Sequence, residues 1–159
     1  MPWEGASRWK ASLEKEAPSR FFFPMEITRG ANNPMPKAKI LVVDDEAALR
    51  ELLTVNLEMD GFEVVKACDG TDGVQQSLSQ KPHMLILDLN MPGMDGFEVC
   101  RRLKSDPQTR SIPILVLSAY SQPEIKKRAF DLGATAYMEK PANLVELSNE
   151  VHRILNIPA

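Results

Sequence analysis

Three short blocks of this chain are apolar at every position: Ile40-Leu41-Val42-Val43, Met84-Leu85-Ile86-Leu87 and Ile114-Leu115-Val116-Leu117. A strand with one wet face alternates apolar and polar side chains. A strand apolar throughout needs cover on both faces, which is the condition of a parallel sheet sandwiched between helices. This single feature excludes an open antiparallel sheet with a solvated face. It demands amphipathic segments between the blocks.

The segments between the blocks supply that cover. Glu46 to Met59 places Leu49, Leu52, Leu53 and Leu57 on one helical face, and Asp60-Gly61 ends it. Phe62 to Cys68 is a second strand. Thr71 to Gln80 reads as a weak helix, since Gly73, Ser77 and Ser79 lower propensity. His83 to Leu87 is the third strand. Asp95 to Ser105 opens on a capping box, Asp95-x-x-Glu98, and buries Phe97, Cys100 and Leu103. Ile114 to Leu117 is the fourth strand. Ser121-x-x-Glu124 opens a fourth helix, closed by Gly133. Ala134 to Met138 is a short fifth strand. Asn143-x-x-Glu146 opens the last helix, with Leu144, Leu147, Val151, Ile154 and Leu155 inward. Strands alternating with helices in this way predict an α/β fold. It is a doubly wound five-stranded parallel sheet, flavodoxin-like in order 2-1-3-4-5, with five helices and right-handed crossovers.

The pattern begins only at Lys37. Residues 1–36 carry five prolines and no sustained periodicity, so they read as a disordered or weakly ordered N-terminal extension to a domain at 37–159. One short helix, Ser7 to Glu16, and one apolar patch, Phe21-Phe22-Phe23-Pro24, stand out there. Met25 and Met35 offer later translational starts.

Charge narrows the function. A net charge of −3 argues against a direct nucleic-acid binder, which would carry a basic excess. No apolar run is long enough to span a membrane and no secretory pattern opens the chain, which predicts a cytoplasmic location. Cys68 and Cys100 are the only cysteines, and read as small, semi-buried thiols rather than a disulfide framework or a zinc site.

The polar residues that interrupt the apolar blocks fall at one place. Asp44 and Asp45 follow the first strand, Asp88 the third, Ser118 the fourth and Lys140 the fifth. All are carboxyl ends, the edge where open α/β sheets bind ligands. In the order 2-1-3-4-5 the first and third strands are neighbours, so Asp44, Asp45 and Asp88 converge. Three carboxylates in one crevice repel unless a cation joins them. Mg²⁺ is the default hard, oxygen-seeking ion, with Mn²⁺ able to take its place. Metal, ammonium and hydroxyl together match the oxygens of a phosphoryl group. No Ser–His–Asp arrangement is present: His83 and His152 both lie away from these strand ends and read as surface or edge residues.

These strand ends carry the motifs LVVDDE (Leu41 to Glu46), LDLNMPGMDG (Leu87 to Gly96), LSA (Leu117 to Ala119) and YMEKP (Tyr137 to Pro141). In this order, over Lys37 to Asn156, the chain resembles the receiver domain of two-component response regulators, in its stand-alone, chemotaxis-regulator-like form. The resemblance implies that Asp88 is the phosphoacceptor. It implies that Asp45, Asp88 and the Asn90 backbone carbonyl ligate Mg²⁺, with Asp44 acting through water. Lys140, Ser118 and the Ala119 backbone N–H would hold the phosphoryl oxygens, and Tyr137 would be the aromatic switch. Asn90 and Tyr120 would tune dephosphorylation. A cis Lys140–Pro141 peptide is common in the family. The partners implied are a sensor histidine kinase or histidine phosphotransfer protein. A downstream target protein would bind the face of the fourth helix, fifth strand and fifth helix, which includes Lys126 and Lys127. Such a protein is a switch that assists its own phosphorylation and slow dephosphorylation, with no separate substrate turnover.

The chain departs from the common pattern in two places. Ser118 stands where threonine is commoner, and both supply a hydroxyl. Ala134-Thr135-Ala136 stands where the winged-helix subfamily usually carries acids, which weakens the case for its salt-bridged dimer. Three other functions fit these residues less well. A Mg²⁺-dependent aspartyl-phosphate phosphohydrolase would need a second Asp where Asn90 stands. A pseudo-receiver, an interaction module that is never phosphorylated, predicts damage at Asp44, Asp45, Asp88, Ser118 or Lys140, all of which are intact. A dinucleotide-binding domain needs a glycine-rich turn after the first strand, where Asp44-Asp45-Glu46 would repel a pyrophosphate.

Overall fold

The computed structural model describes residues 37–158. The expected helix Ser7 to Glu16 and the Phe21–Phe23 patch lie outside the described residues. The order of elements is β1 (Lys39–Val43), α1 (Ala47–Met59), β2 (Glu63–Ala67), α2 (Gly70–Gln80), β3 (Met84–Leu87), α3 (Gly96–Ser105), β4 (Ile114–Ser118), α4 (Pro123–Asp131), β5 (Ala136–Glu139) and α5 (Leu144–Leu155). All strand pairs are parallel, in the order β2-β1-β3-β4-β5. The predicted fold class and strand order are both borne out.

Each apolar strand feeds two cores. Leu41, Val43, Leu85, Leu87, Ile114 and Val116 point to one side, against Phe97, Cys100 and Leu103 of α3 and Ala129 of α4. Ile40, Val42, Met84, Ile86, Leu115 and Leu117 point to the other, against Leu53 and Leu57 of α1 and Leu147 and Val151 of α5. The period of two is therefore intact, but both of its phases are apolar because helices lie on both faces. Each fully buried aliphatic side chain contributes about 1.5–3 kcal/mol. That rigid frame fixes where the strand ends point.

Several local expectations are corrected. Leu52 is not inward: it is half exposed, about 100° round the helix from Leu53. Thr54 is buried instead, because its hydroxyl donates to the Arg50 carbonyl at 2.7 Å and hides its polarity. The box at Asp95 is half made. Asp95 accepts from the Glu98 amide at 3.0 Å, but the Glu98 carboxylate turns outward to Arg101 and Arg102. Ser121 does not cap α4. Pro123 takes the first helical position with its preset φ, so Gln122 becomes the N-cap, without a side-chain bond. Asn143 does cap α5, accepting from the amides of Val145 and Glu146.

The weak helix α2 is real, and its glycines have a packing cause. A Cβ at Gly73 would stand 3.0 Å from a Val43 methyl, and one at Gly70 2.4 Å from the Met94 carbonyl. Low propensity is tolerated because it lets α2 approach the end of β1 and the loop after β3. The cysteines are not alike: Cys68 is exposed and Cys100 buried. Among the described residues, no helix is long and apolar enough to cross a membrane.

Candidate phosphoryl and metal site

β1 and β3 run side by side in register, with Val43 opposite Leu87. The residues just past them, Asp44, Asp45 and Asp88, therefore emerge together. One carboxylate oxygen from each lies within 4.8 Å of the others. Asp44 and Asp88 are buried, at 2% and 4% exposure, while Asp45 faces solvent.

Asp44 is held from every side. Its amide donates to the Ala67 carbonyl at 3.2 Å, and its Oδ1 accepts from the Glu46 amide at 2.8 Å. Its carbonyl accepts from the Arg50 guanidinium at 2.7 Å. Its Oδ2 accepts from Lys140 Nζ at 2.9 Å, and the same ammonium stands 3.4 Å from Asp88 Oδ1. Asp88 Oδ1 also accepts from the Asn90 amide at 3.2 Å. Gly96, the first residue of α3, abuts the Asp88 backbone. A Cβ there would stand 2.4 Å from the Asp88 carbonyl oxygen and 2.7 Å from Leu89 Cα.

Burial pushes the Asp88 carboxyl above its ordinary range, and the Asp44 charge pushes it further; Lys140 and the Asn90 amide only partly offset this. Burial by itself would lower Lys140, but its hydrogen bond and ion pair with Asp44, joined by Asp88, outweigh that and raise it. Two buried carboxylates thus share one ammonium, and the exposed carboxylate of Asp45 stands beside them without one. That surplus of oxygen donors and negative charge fits a hard divalent cation. Asp44, Asp45 and Asp88 would hold such an ion directly or through its waters, and Mg²⁺ suits an all-oxygen set of this kind.

Ser118 and Lys140 are brought to the same edge. Lys140 donates its amide to the Ser118 carbonyl at 2.8 Å, and the Lys140–Pro141 peptide is cis. Ser118 is fully buried, and its Oγ accepts from the Tyr120 amide at 3.1 Å. The Tyr120 carbonyl in turn accepts from the Tyr137 hydroxyl at 2.7 Å. Tyr137 is partly buried, with Lys126 Nζ 5.7 Å above its ring; Lys126 also pairs with Glu139 at 2.6 Å. Ala119 is exposed beside Ser118.

His83 and His152 are indeed elsewhere. His83 Nδ1 accepts from the Lys39 amide at the opposite end of β1, and the His152 ring stands 5.1 Å from that of Phe62. Sequence reasoning missed two contacts, that of Arg50 to Asp44 and the link from Tyr137 through Tyr120 to Ser118. Neither has a local signature, since both join a side chain to a main-chain atom across a turn or between strands.

The family model described as "Response regulator receiver domain" matches residues 40–152. The chain is 40% identical over 117 residues to the "DNA-binding dual master transcriptional regulator RpaA" of Synechocystis, covering 74% of this chain and 48% of that protein. It is equally identical over 117 residues to the "Alkaline phosphatase synthesis transcriptional regulatory protein PhoP" of Bacillus subtilis, again with 74% and 48% covered. The chain spans about half the length of these curated relatives. The solved chemotaxis protein CheY4 of Vibrio cholerae superposes with a TM-score of 0.71 at 33% identity, covering 74% of this chain and 98% of that one.

Proposed function

We propose, from the premise that this chain belongs to the response regulator receiver domain family, that it is a phosphoacceptor switch with Asp88 as the acceptor. The observation that carries the reading is the Asp44–Asp45–Asp88 cluster at the carboxyl ends of β1 and β3, with Lys140 bridging Asp44 and Asp88. A phosphohistidine of a sensor kinase or phosphotransfer protein is the donor. An Asp88 oxygen attacks phosphorus in line, the N–P bond breaks, and its electron pair returns to the imidazole of the donor. The product is an acyl phosphate, which water later cleaves to carboxylate and inorganic phosphate.

Asp45, Asp88 and the Asn90 carbonyl would hold Mg²⁺, with Asp44 acting through water. When bound, the ion supplies charge neutralisation for the incoming anion. The residues of the chain do the rest. Lys140 stabilises the ionised, nucleophilic form of Asp88 against the burial that favours its protonated form. Its ammonium then gains phosphoryl oxygens as acceptors. The Ala119 amide and the Ser118 hydroxyl add neutral donors.

Movement of the Ser118 hydroxyl disturbs its neighbours. The hydroxyl is tied to the Tyr120 amide, whose carbonyl is tied to Tyr137. Drawing Ser118 toward the phosphoryl group therefore loads Tyr137, and through it the Lys126–Glu139 pair on the α4–β5–α5 face. Contacts made in only one state are what bias a two-state element. A target protein that reads this face senses phosphorylation without touching Asp88.

The test is acetyl phosphate with Mg²⁺ on the unsubstituted chain and on Asp88→Asn, read by intact mass. One added phosphoryl group in the unsubstituted chain alone is expected. No gain in either, with the cognate kinase also failing, would overturn the reading in favour of an interaction module that is never phosphorylated.

A further inference from the structure

We infer that Arg50 is a positioning residue for the cation, acting through the main chain of Asp44; this rests on the Mg²⁺ reading above. Arg50 sits one turn into α1, its amide donating to the Glu46 carbonyl at 3.0 Å and its own carbonyl taken by Thr54 Oγ1 at 2.7 Å. From that fixed base its guanidinium reaches back six residues to the Asp44 carbonyl at 2.7 Å. It makes no contact with a carboxylate of the cluster.

The residue that depends on this contact is Asp45. Asp44 is anchored through its own side chain and amide. Among the described residues, by contrast, no hydrogen bond or ion pair holds the Asp45 carboxylate, and the residue is exposed. Its direction is set by the peptide that joins it to Asp44, and Arg50 fixes the oxygen of that peptide. Without the guanidinium, the bond from the Glu46 amide to Asp44 Oδ1 is the restraint left across that peptide, and its carbonyl end loosens. Asp45 then no longer presents its oxygen within reach of Asp88, and the ligand set must be ordered each time a cation binds.

The sign of the effect separates this role from simple electrostatics. Arg50 is a cation near a cation site. If its charge were all that mattered, removing it would tighten Mg²⁺ binding. If it positions the turn, removing it weakens binding by about 10-fold, the lower end of the usual range for residues that orient metal ligands.

The experiment is isothermal calorimetry of Mg²⁺ binding to the full chain and to Arg50→Met and Arg50→Lys, with urea unfolding in chelator as the control for folding. Weaker binding by Arg50→Met at an unchanged metal-free midpoint, with partial recovery in Arg50→Lys, supports the assignment. Equal or tighter binding by Arg50→Met overturns it while leaving the metal reading intact. No saturable binding by the unsubstituted chain overturns both. Should Arg50→Met fail to fold, Arg50→Gln carries the same contrast: it removes the charge, so tighter binding overturns the assignment and weaker binding supports it.

Discussion

Replacing Lys140 by methionine removes the ammonium that lies 2.9 Å from Asp44 Oδ2 and 3.4 Å from Asp88 Oδ1. At an effective dielectric of about 20, those separations correspond to attractions of about 6 and about 5 kcal/mol. Most of that is cancelled by the cost of taking the charges out of water. What remains decisive is the asymmetry: two buried carboxylates are left facing each other with no counter-charge. Removing one partner of a buried ion pair costs about 3–5 kcal/mol. The Lys140 side chain keeps 19% of its exposure, so the lower end, about 3 kcal/mol, applies. For a domain whose total stability is about 5–15 kcal/mol, that is a large fraction.

The assay is urea unfolding in chelator. With a slope on the order of 1.5 kcal/mol/M, the midpoint of Lys140→Met falls by about 2 M at neutral pH. The pH dependence carries a second signature. Asp88 is already held above its ordinary range by burial and by Asp44, and Lys140 is what pushes it back down. In the variant it climbs further. A carboxyl whose folded value exceeds its unfolded value destabilises the fold at higher pH, and the penalty disappears as pH falls through the folded value. Lys140→Met should therefore regain stability as pH falls from neutrality through the raised Asp88 value, and on adding millimolar Mg²⁺. In the unsubstituted chain Lys140 itself is raised. Its contribution is complete below the ordinary lysine range and is lost as pH rises through the folded value. A neutral-pH midpoint equal to the unsubstituted one, or a variant that loses stability in parallel with it on acidification, would refute the reasoning.

Three further outcomes are expected. Gly96→Ala forces its Cβ into the Asp88 carbonyl, which costs about 1–3 kcal/mol in urea unfolding; by moving Asp88 it also lowers phosphoryl gain from acetyl phosphate in the intact-mass assay. Tyr120→Glu should shorten the life of the acyl phosphate several-fold, because the half-buried ring next to Ser118 is replaced by a group that orders water; phosphate loss no faster than in the unsubstituted chain would count against it. Burial pushes the Cys100 thiol up to about 11, so iodoacetamide at mildly alkaline pH should add one group to the native protein, at exposed Cys68, and a second only in urea.

How much of this was legible in the sequence differs by kind of interaction. The sheet was legible because burial on two faces leaves its mark residue by residue: Ile40 to Val43 is short, rich in β-branched residues and apolar throughout, the mark of a covered strand. The convergence of Asp44, Asp45 and Asp88 followed from that, since strand order alone decides which carboxyl ends are neighbours. Local capping was less secure. Ser121-x-x-Glu124 reads as the start of α4, but Pro123 with its preset φ takes the first helical position and Gln122 becomes the N-cap. The helical period groups Leu52 with Leu49, Leu53 and Leu57, whereas the helix turns Thr54 in, with its hydroxyl satisfied on Arg50.

The sequence by itself determined the layered α/β fold, the edge where chemistry can occur and the identity of the charged groups there. Only the tertiary structure decided how those groups are held. The guanidinium of Arg50 meets the Asp44 carbonyl, the Lys140 ammonium is shared between Asp44 and Asp88, and Ser118 is joined through Tyr120 to Tyr137. The physical reason is that apolar burial is a property of residue type and period, written along the chain. A hydrogen bond to a main-chain atom depends on distance and angle to a partner whose side chain is irrelevant, and so leaves no pattern in the sequence to read.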